Sequence, residues 1–199
     1  MSGGEASPGH RSDRALWEDL RHGSEQAFAA LFTRHGDAVY NFAFRRVACW
    51  ATADDVTQAT FLALWRRARE GRVEELRRDS ARAVLLTMAG HECANAVRGR
   101  NRLAALVLRL PVESHQRDHA EQVDAEIDSE RRMRSIRGLV DRLPAGQRAV
   151  VEMVWWSGCS LQDTADALGV PVGTVKSRLA RARTRLGEAA KPVVREELA

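Results

Sequence analysis

Lysine is nearly absent from this chain: of its 31 basic residues only Lys176 and Lys191 are lysines, and the others are all arginines. Codon usage in a GC-rich genome explains that skew as well as any physical cause does. Cysteine is scarce too. Cys49, Cys93 and Cys159 lie far apart, are odd in number and form no CxxC pair, which argues against a disulfide framework and a zinc knuckle. No unbroken apolar run approaches the roughly 20 residues that a membrane-spanning helix needs. The stretch 1–10 is small and polar and lacks the apolar segment of a secretory signal, so a cytoplasmic location without membrane insertion is expected. Catalytic groupings are missing as well. Asp54 and Asp55 have no histidine, serine or glycine-rich loop beside them, and His91-Glu92-Cys93-Ala94-Asn95 has asparagine where a zincin needs its second histidine. The expectation is therefore no enzyme, no metal and no cofactor.

What is present suffices for one or two compact domains, since 44% of the 199 residues are apolar and 29% are charged. The net charge of +4 conceals a segregation: residues 1–109 carry +4, residues 110–130 carry −6 and residues 131–199 carry +6. Helical periodicity runs almost throughout, with no strand-like alternation of useful length, and predicts an all-α protein. Its first domain spans 1–108, an acidic linker spans 109–130, and a second domain spans 131–199. Within the first, helices are predicted from Asp13 to Arg21, from Ser24 to Val47, from Thr52 to Arg69 with Thr52 and Asp55 as a capping box, and from Ser80 to Arg102. Within the second, they are predicted from Arg131 to Leu143, after Pro144, from Ser160 to Leu168 with a Ser160/Asp163 capping box, and from Val172 to Leu186.

Two short helices joined by the turn Gly169-Val170-Pro171, the second of them strongly basic, form a helix-turn-helix signature. Val172, Val175, Leu179, Ala182 and Leu186 share one face of that second helix and are expected to pack on the core. The other faces carry Thr174, Lys176, Ser177, Arg178, Arg181, Arg183 and Arg185, with no acid between Pro171 and Gly187. Such a helix suits a phosphate-lined major groove. Of the tryptophans Trp155 and Trp156, at least one is expected to fill the core.

In the first domain, Leu86, Ala89, Cys93, Ala96 and Val97 mark a buried stripe. Opposite it, Thr87, His91, Asn95, Arg98 and Arg102 recur at steps of three or four residues, a row that suits contacts to bases and backbone and equally suits an ordinary solvated face. Asp54, Asp55 and Gln58 stand near the start of an apolar helix. They read either as acids complementing the helix dipole or, with Phe61 and Trp65, as a docking patch with a polar rim and an aromatic anchor.

The run TADDVTQATFLALW, Thr52 to Trp65, resembles region 2.2 of bacterial sigma-70-family factors. LPAGQR, Leu143 to Arg148, followed by GVPVGTVKSRLARAR, Gly169 to Arg183, resembles region 4 of the same family, and the length resembles its extracytoplasmic-function (ECF) group. The resemblance implies a factor that binds core RNA polymerase, directs it to selected promoters and helps melt them. Asp54, Asp55, Gln58, Phe61 and Trp65 would then dock on the β′ clamp helices, with the β subunit as a further contact. Thr87, His91, Asn95, Arg98 and Arg102 would serve the minus-ten element; Thr174, Lys176, Ser177, Arg178 and Arg181 would serve the minus-thirty-five element. The acidic linker would thread polymerase channels, and an anti-sigma factor is a further partner that the family admits. The chain departs from the family's pattern in having Val84-Leu85 where Trp-Leu is common, and His91 and Asn95 where Asn and Asp are common. The rival reading is a dimeric helix-turn-helix regulator, which has no use for the patch from Asp54 to Trp65.

Overall fold

The computed structural model describes residues 11–107 and 122–196, with side chains over 11–102 and 127–188. Of the segment expected as an acidic linker, 109–130, the part 109–121 thus lies outside the described residues. Helices follow one another without a strand among the described residues: α1 (Asp13–Arg21), α2 (Glu25–Val47), α3 (Trp50–Arg69), α4 (Arg82–Val107), α5 (Gln122–Asp141), α6 (Ala145–Val151), α7 (Leu161–Leu168) and α8 (Val172–Glu196). Between α6 and α7 the chain widens into a single π-helical turn, Glu152–Trp156.

Helices α1 to α4 enclose the first core, in which Leu16, Leu20, Leu31, Phe42, Phe61 and Leu86 are almost wholly buried. Ser12 and Ser24 cap α1 and α2 by accepting from the amides of Ala15 and Ala27. Asp13 ties the entrance of this domain to two distant helices. Its carboxylate accepts from Arg34 at 2.6 Å, His35 at 2.7 Å and the Ala81 amide at 2.8 Å. Burial alone would push this carboxyl up, but the hydrogen bonds from His35, Arg34 and Ala81 outweigh it and hold its pKa well below the usual carboxylate range.

Helix α3 begins two residues before the predicted start. Thr52 and Asp55 form no capping box; the cap position is Cys49, without a side-chain bond. The cause is tertiary: Trp50 stacks on Phe44 at 3.5 Å between ring centroids, and its amide donates to the Glu130 carboxylate at 2.9 Å, so α5 supplies the cap. Helix α4 starts at Arg82, with Ser80 accepting from the Arg82 amide. Helix α5 begins at Gln122, inside the stretch read as linker, and α8 continues past Leu186 to Glu196.

The second domain packs α5, α6, α7 and α8 around Val140, Val150, Val151, Val175 and Ala182, with Leu179 and Leu186 half-buried beside them. Trp156 joins this core, whereas Trp155 is exposed. Ser160 caps α7, and Gly169 closes it in the left-handed region at φ 63°, where a side chain would be strained.

The domains touch. Arg46 on α2 pairs with Glu152 in the π turn, Arg45 donates to the Trp156 carbonyl, and Arg137 donates to the Val47 carbonyl at 3.0 Å. Burial pushes the Glu152 carboxyl up to about 7, against the opposing pull of Arg46 and Arg148. An acid whose pKa rises on folding contributes most below its unfolded pKa, and the contribution is lost as pH climbs through the folded value. Glu152→Gln is therefore expected to flatten the decline in unfolding free energy between about pH 4.5 and 7 by on the order of 3 kcal/mol relative to the native chain. Urea titrations of both proteins at each pH measure the difference. Equal slopes would place Glu152 outside the balance.

Candidate nucleic-acid and protein-docking surfaces

The helix-turn-helix is built as the sequence reading expects. Val175 and Ala182 are fully buried, which fixes the rotation of α8 and turns Lys176, Ser177, Arg181, Arg183 and Arg185 to solvent. Thr174 and Arg178 are half-buried, on the side of α8 nearer α6. The Ser177 hydroxyl donates to the Thr174 carbonyl at 3.1 Å. None of the ion pairs among the described residues involves α8, so its cations are not neutralised from within. An unneutralised basic helix is the electrostatic match for duplex phosphates.

On α4 the row is present but not uniform. His91, Asn95, Arg98 and Arg102 are exposed, while Thr87 is half-buried and donates its hydroxyl to the Ala83 carbonyl at 2.9 Å. Arg98 donates to the Asn95 amide oxygen at 2.6 Å, and Asn95 donates to Glu92 at 3.2 Å. Glu92, which sequence reasoning passed over, thus anchors the row and dilutes its charge. Thr87 and His91 line a cavity of about 550 Å³ whose other walls carry Arg72, Arg77 and, from α7, Asp163 and Asp166. Arg78 spans the two domains here, reaching Asp166 at 2.5 Å and lowering the pKa of that carboxyl.

On α3 the structure corrects one expected contact. Phe61 is 2% exposed and packs edge-on against Phe28 and Phe32, so it belongs to the core and not to a docking surface. Trp65 is half-buried against Phe28 at 5.2 Å. The outward stripe is Asp54, Asp55, Gln58 and Leu62, at successive helical turns, with Gln58 donating to Asp54 at 2.7 Å. Leu62 is 57% exposed and Phe32 on α2 is 44% exposed; these are the apolar groups the patch presents. Adjacent Phe61 and Leu62 are both apolar, but Leu62 continues the face of Asp54 and Gln58, while Phe61 falls on the buried face of Thr57 and Leu64, against the rings of Phe28 and Phe32.

Among the described residues no three His, Cys, Asp or Glu side chains converge as metal ligands would. Burial pushes the Cys93 thiol up to about 12, leaving it without thiolate character. No described helix is long and apolar enough to cross a membrane.

The described residues combine a helix-turn-helix whose second helix carries no acid from Val172 to Gly187 with an all-α domain bearing an acidic and apolar stripe. Residues 31–103 match the model of sigma-70 region 2, and residues 133–186 match that of sigma-70 region 4. The chain is 34% identical over 178 residues to the ECF RNA polymerase sigma factor SigM of Mycobacterium tuberculosis, covering 88% of this chain and 83% of that one. It is 28% identical over 195 residues to the RNA polymerase sigma-H factor of Pseudomonas aeruginosa, covering 92% and 96%. The fold resembles that of CnrH in complex with the cytosolic domain of CnrY, with a TM-score of 0.65 and 24% identity over 90% of this chain and 97% of that one. It also resembles RpoE in complex with the anti-sigma factor NepR from Bartonella quintana, with a TM-score of 0.55 and 26% identity over 82% and 96%. The chain belongs to the sigma-70 family, as an RNA polymerase sigma factor of the ECF group. Its function is promoter-directed initiation of transcription.

Proposed function

We propose that the stripe Asp54, Asp55, Gln58 and Leu62 docks on the β′ clamp helices of core RNA polymerase, with Phe61 and Trp65 supporting α3 from beneath. Helix α4 serves the minus-ten element through Thr87, His91, Asn95, Arg98 and Arg102. Helix α8 enters the minus-thirty-five element through Thr174, Lys176, Ser177, Arg178 and Arg181. The protein acts in the cytoplasm as an initiation factor and catalyses nothing itself; phosphodiester chemistry belongs to the polymerase. The observation that carries this reading is the unneutralised basic face of α8 behind a capped helix-turn-helix, in the same chain as the acidic and apolar stripe of α3.

The closeness of α7 to Thr87 and His91 adds a requirement. With Asp166 paired to Arg78, the acids of α7 stand across the cleft from Thr87 and His91, where Glu74 and Glu75 already offset the arginines, so the domains must part before the minus-ten strand can enter. RpoE of Bartonella quintana is in complex with the anti-sigma factor NepR, and an anti-sigma partner of this chain would act by keeping the domains together. Transcript starts mapped after overexpression test the reading. Start sites that share one element at each of the two upstream positions support it, and starts sharing no second element would contradict the two-helix assignment.

A further inference from the structure

Gly146, in the first turn of α6, has no backbone reason to be glycine. It is helical, and it is not among the positive-φ glycines, which are Gly23, Gly71, Gly158 and Gly169. Glycine is also a poor helix former, so something else must compensate for it here. The reason lies across the interface. A methyl group on Gly146 would stand 3.0 Å from Cζ, 3.2 Å from Nε and 3.3 Å from Nη1 of Arg178 on α8. The guanidinium therefore lies flat against the bare backbone of α6. This explains why Arg178 is half-buried while its neighbours Lys176, Ser177 and Arg181 project into solvent.

We propose that Gly146 is a positioning residue for duplex recognition: its missing side chain makes a seat that holds the Arg178 guanidinium at the seam of α6 and α8. This rests on the reading of α8 as the duplex-binding helix. A planar, permanently charged fork is well suited to such a seat, because one face can rest on backbone while its edge keeps N–H donors free for a phosphate or a base edge. Seating the side chain before DNA arrives reduces the rotamer freedom that must be lost on binding. A methyl at position 146 obliges the fork to give by a few tenths of an ångström, which shifts its donors off the seat. Lysine at 178, lacking the planar fork, would gain nothing from the seat.

The test uses the full chain and a fluorescent duplex carrying the minus-thirty-five element of a promoter located by transcript-start mapping. Gly146→Ala, Arg178→Ala and the double variant are compared by anisotropy over a salt series, with thermal melts of each. Gly146→Ala is expected to weaken binding by about three- to tenfold. Its salt slope should stay native because the charge is retained, whereas Arg178→Ala should lower the slope by about one. The double variant should bind no worse than Arg178→Ala alone, and Gly146→Ala should melt at or above the native temperature, since alanine favours the helix. Native affinity in Gly146→Ala beside weakened Arg178→Ala would overturn the seat and leave the reading of α8 standing. So would an equal loss from Gly146→Ala in both backgrounds. Native affinity and slope in Arg178→Ala would overturn the reading of α8 itself.

Discussion

Leu62→Asp is expected to weaken binding to core RNA polymerase by about 100-fold, the size of effect typical of a central interface residue, with little change in folding stability. Leu62 is more than half exposed, so its replacement opens no cavity. In the complex its side chain would fill an apolar recess inside the polar rim of Asp54, Asp55 and Gln58, and a carboxylate there would be buried without a partner. Phe61→Ala should behave in the opposite way. It removes a ring from the middle of the first core, between Phe28 and Phe32, and should cost about 3 to 4 kcal/mol of stability. Binding measured by biolayer interferometry against immobilised core enzyme, alongside denaturant titration, separates the two. If Leu62→Asp bound normally, α3 would not be the docking surface.

Replacing Lys176, Arg178 and Arg181 together by alanine has the second large effect. Each cation that neutralises a phosphate contributes about 0.9 to the slope of log affinity against log salt, so the triple variant should lose roughly 2 to 3 from that slope. At physiological salt its affinity for a minus-thirty-five duplex should fall at least 100-fold, an order of magnitude set by three lost charge-assisted contacts. Polymerase binding through α3, in the other domain, should persist. Fluorescence anisotropy at four salt concentrations reads the slope directly, and a slope equal to that of the native chain would remove these side chains from the phosphate contacts.

Much of this was legible in the residue order. Ser24 and Ser160 mark helix starts because a cap is a local device: a hydroxyl satisfying an amide three residues on needs no distant partner. The α8 face was legible for a similar reason, since burying Val175 and Ala182 at helical spacing fixes where every arginine points. The misreadings lie where distant groups decide. Thr52 and Asp55 have the spacing of a capping box, yet the stacking of Trp50 on Phe44 and the reach of Glu130 from α5 start the helix earlier. Phe61 is a different case, since its spacing from Thr57 and Leu64 already places it on the buried face of α3, opposite Asp54, Gln58 and Leu62.

Nothing local signals that Arg178 lies on Gly146, because the two are brought together only when α6 packs on α8. The pairing of Arg46 with Glu152 and of Arg78 with Asp166 is hidden in the same way. In sequence these are ordinary charges on opposite sides of an acidic stretch. In the fold they join the two domains and stand beside the row on α4.

Initiation from purified components tests the central claim most directly. Core RNA polymerase is mixed with this protein and a template carrying a promoter found by transcript-start mapping, and run-off RNA is measured against core alone. The expected result is a discrete run-off product that needs the protein, disappears with Leu62→Asp and falls sharply when Lys176, Arg178 and Arg181 are replaced. A protein that bound the duplex as a symmetric dimer, without binding core and without producing that transcript, would contradict the account.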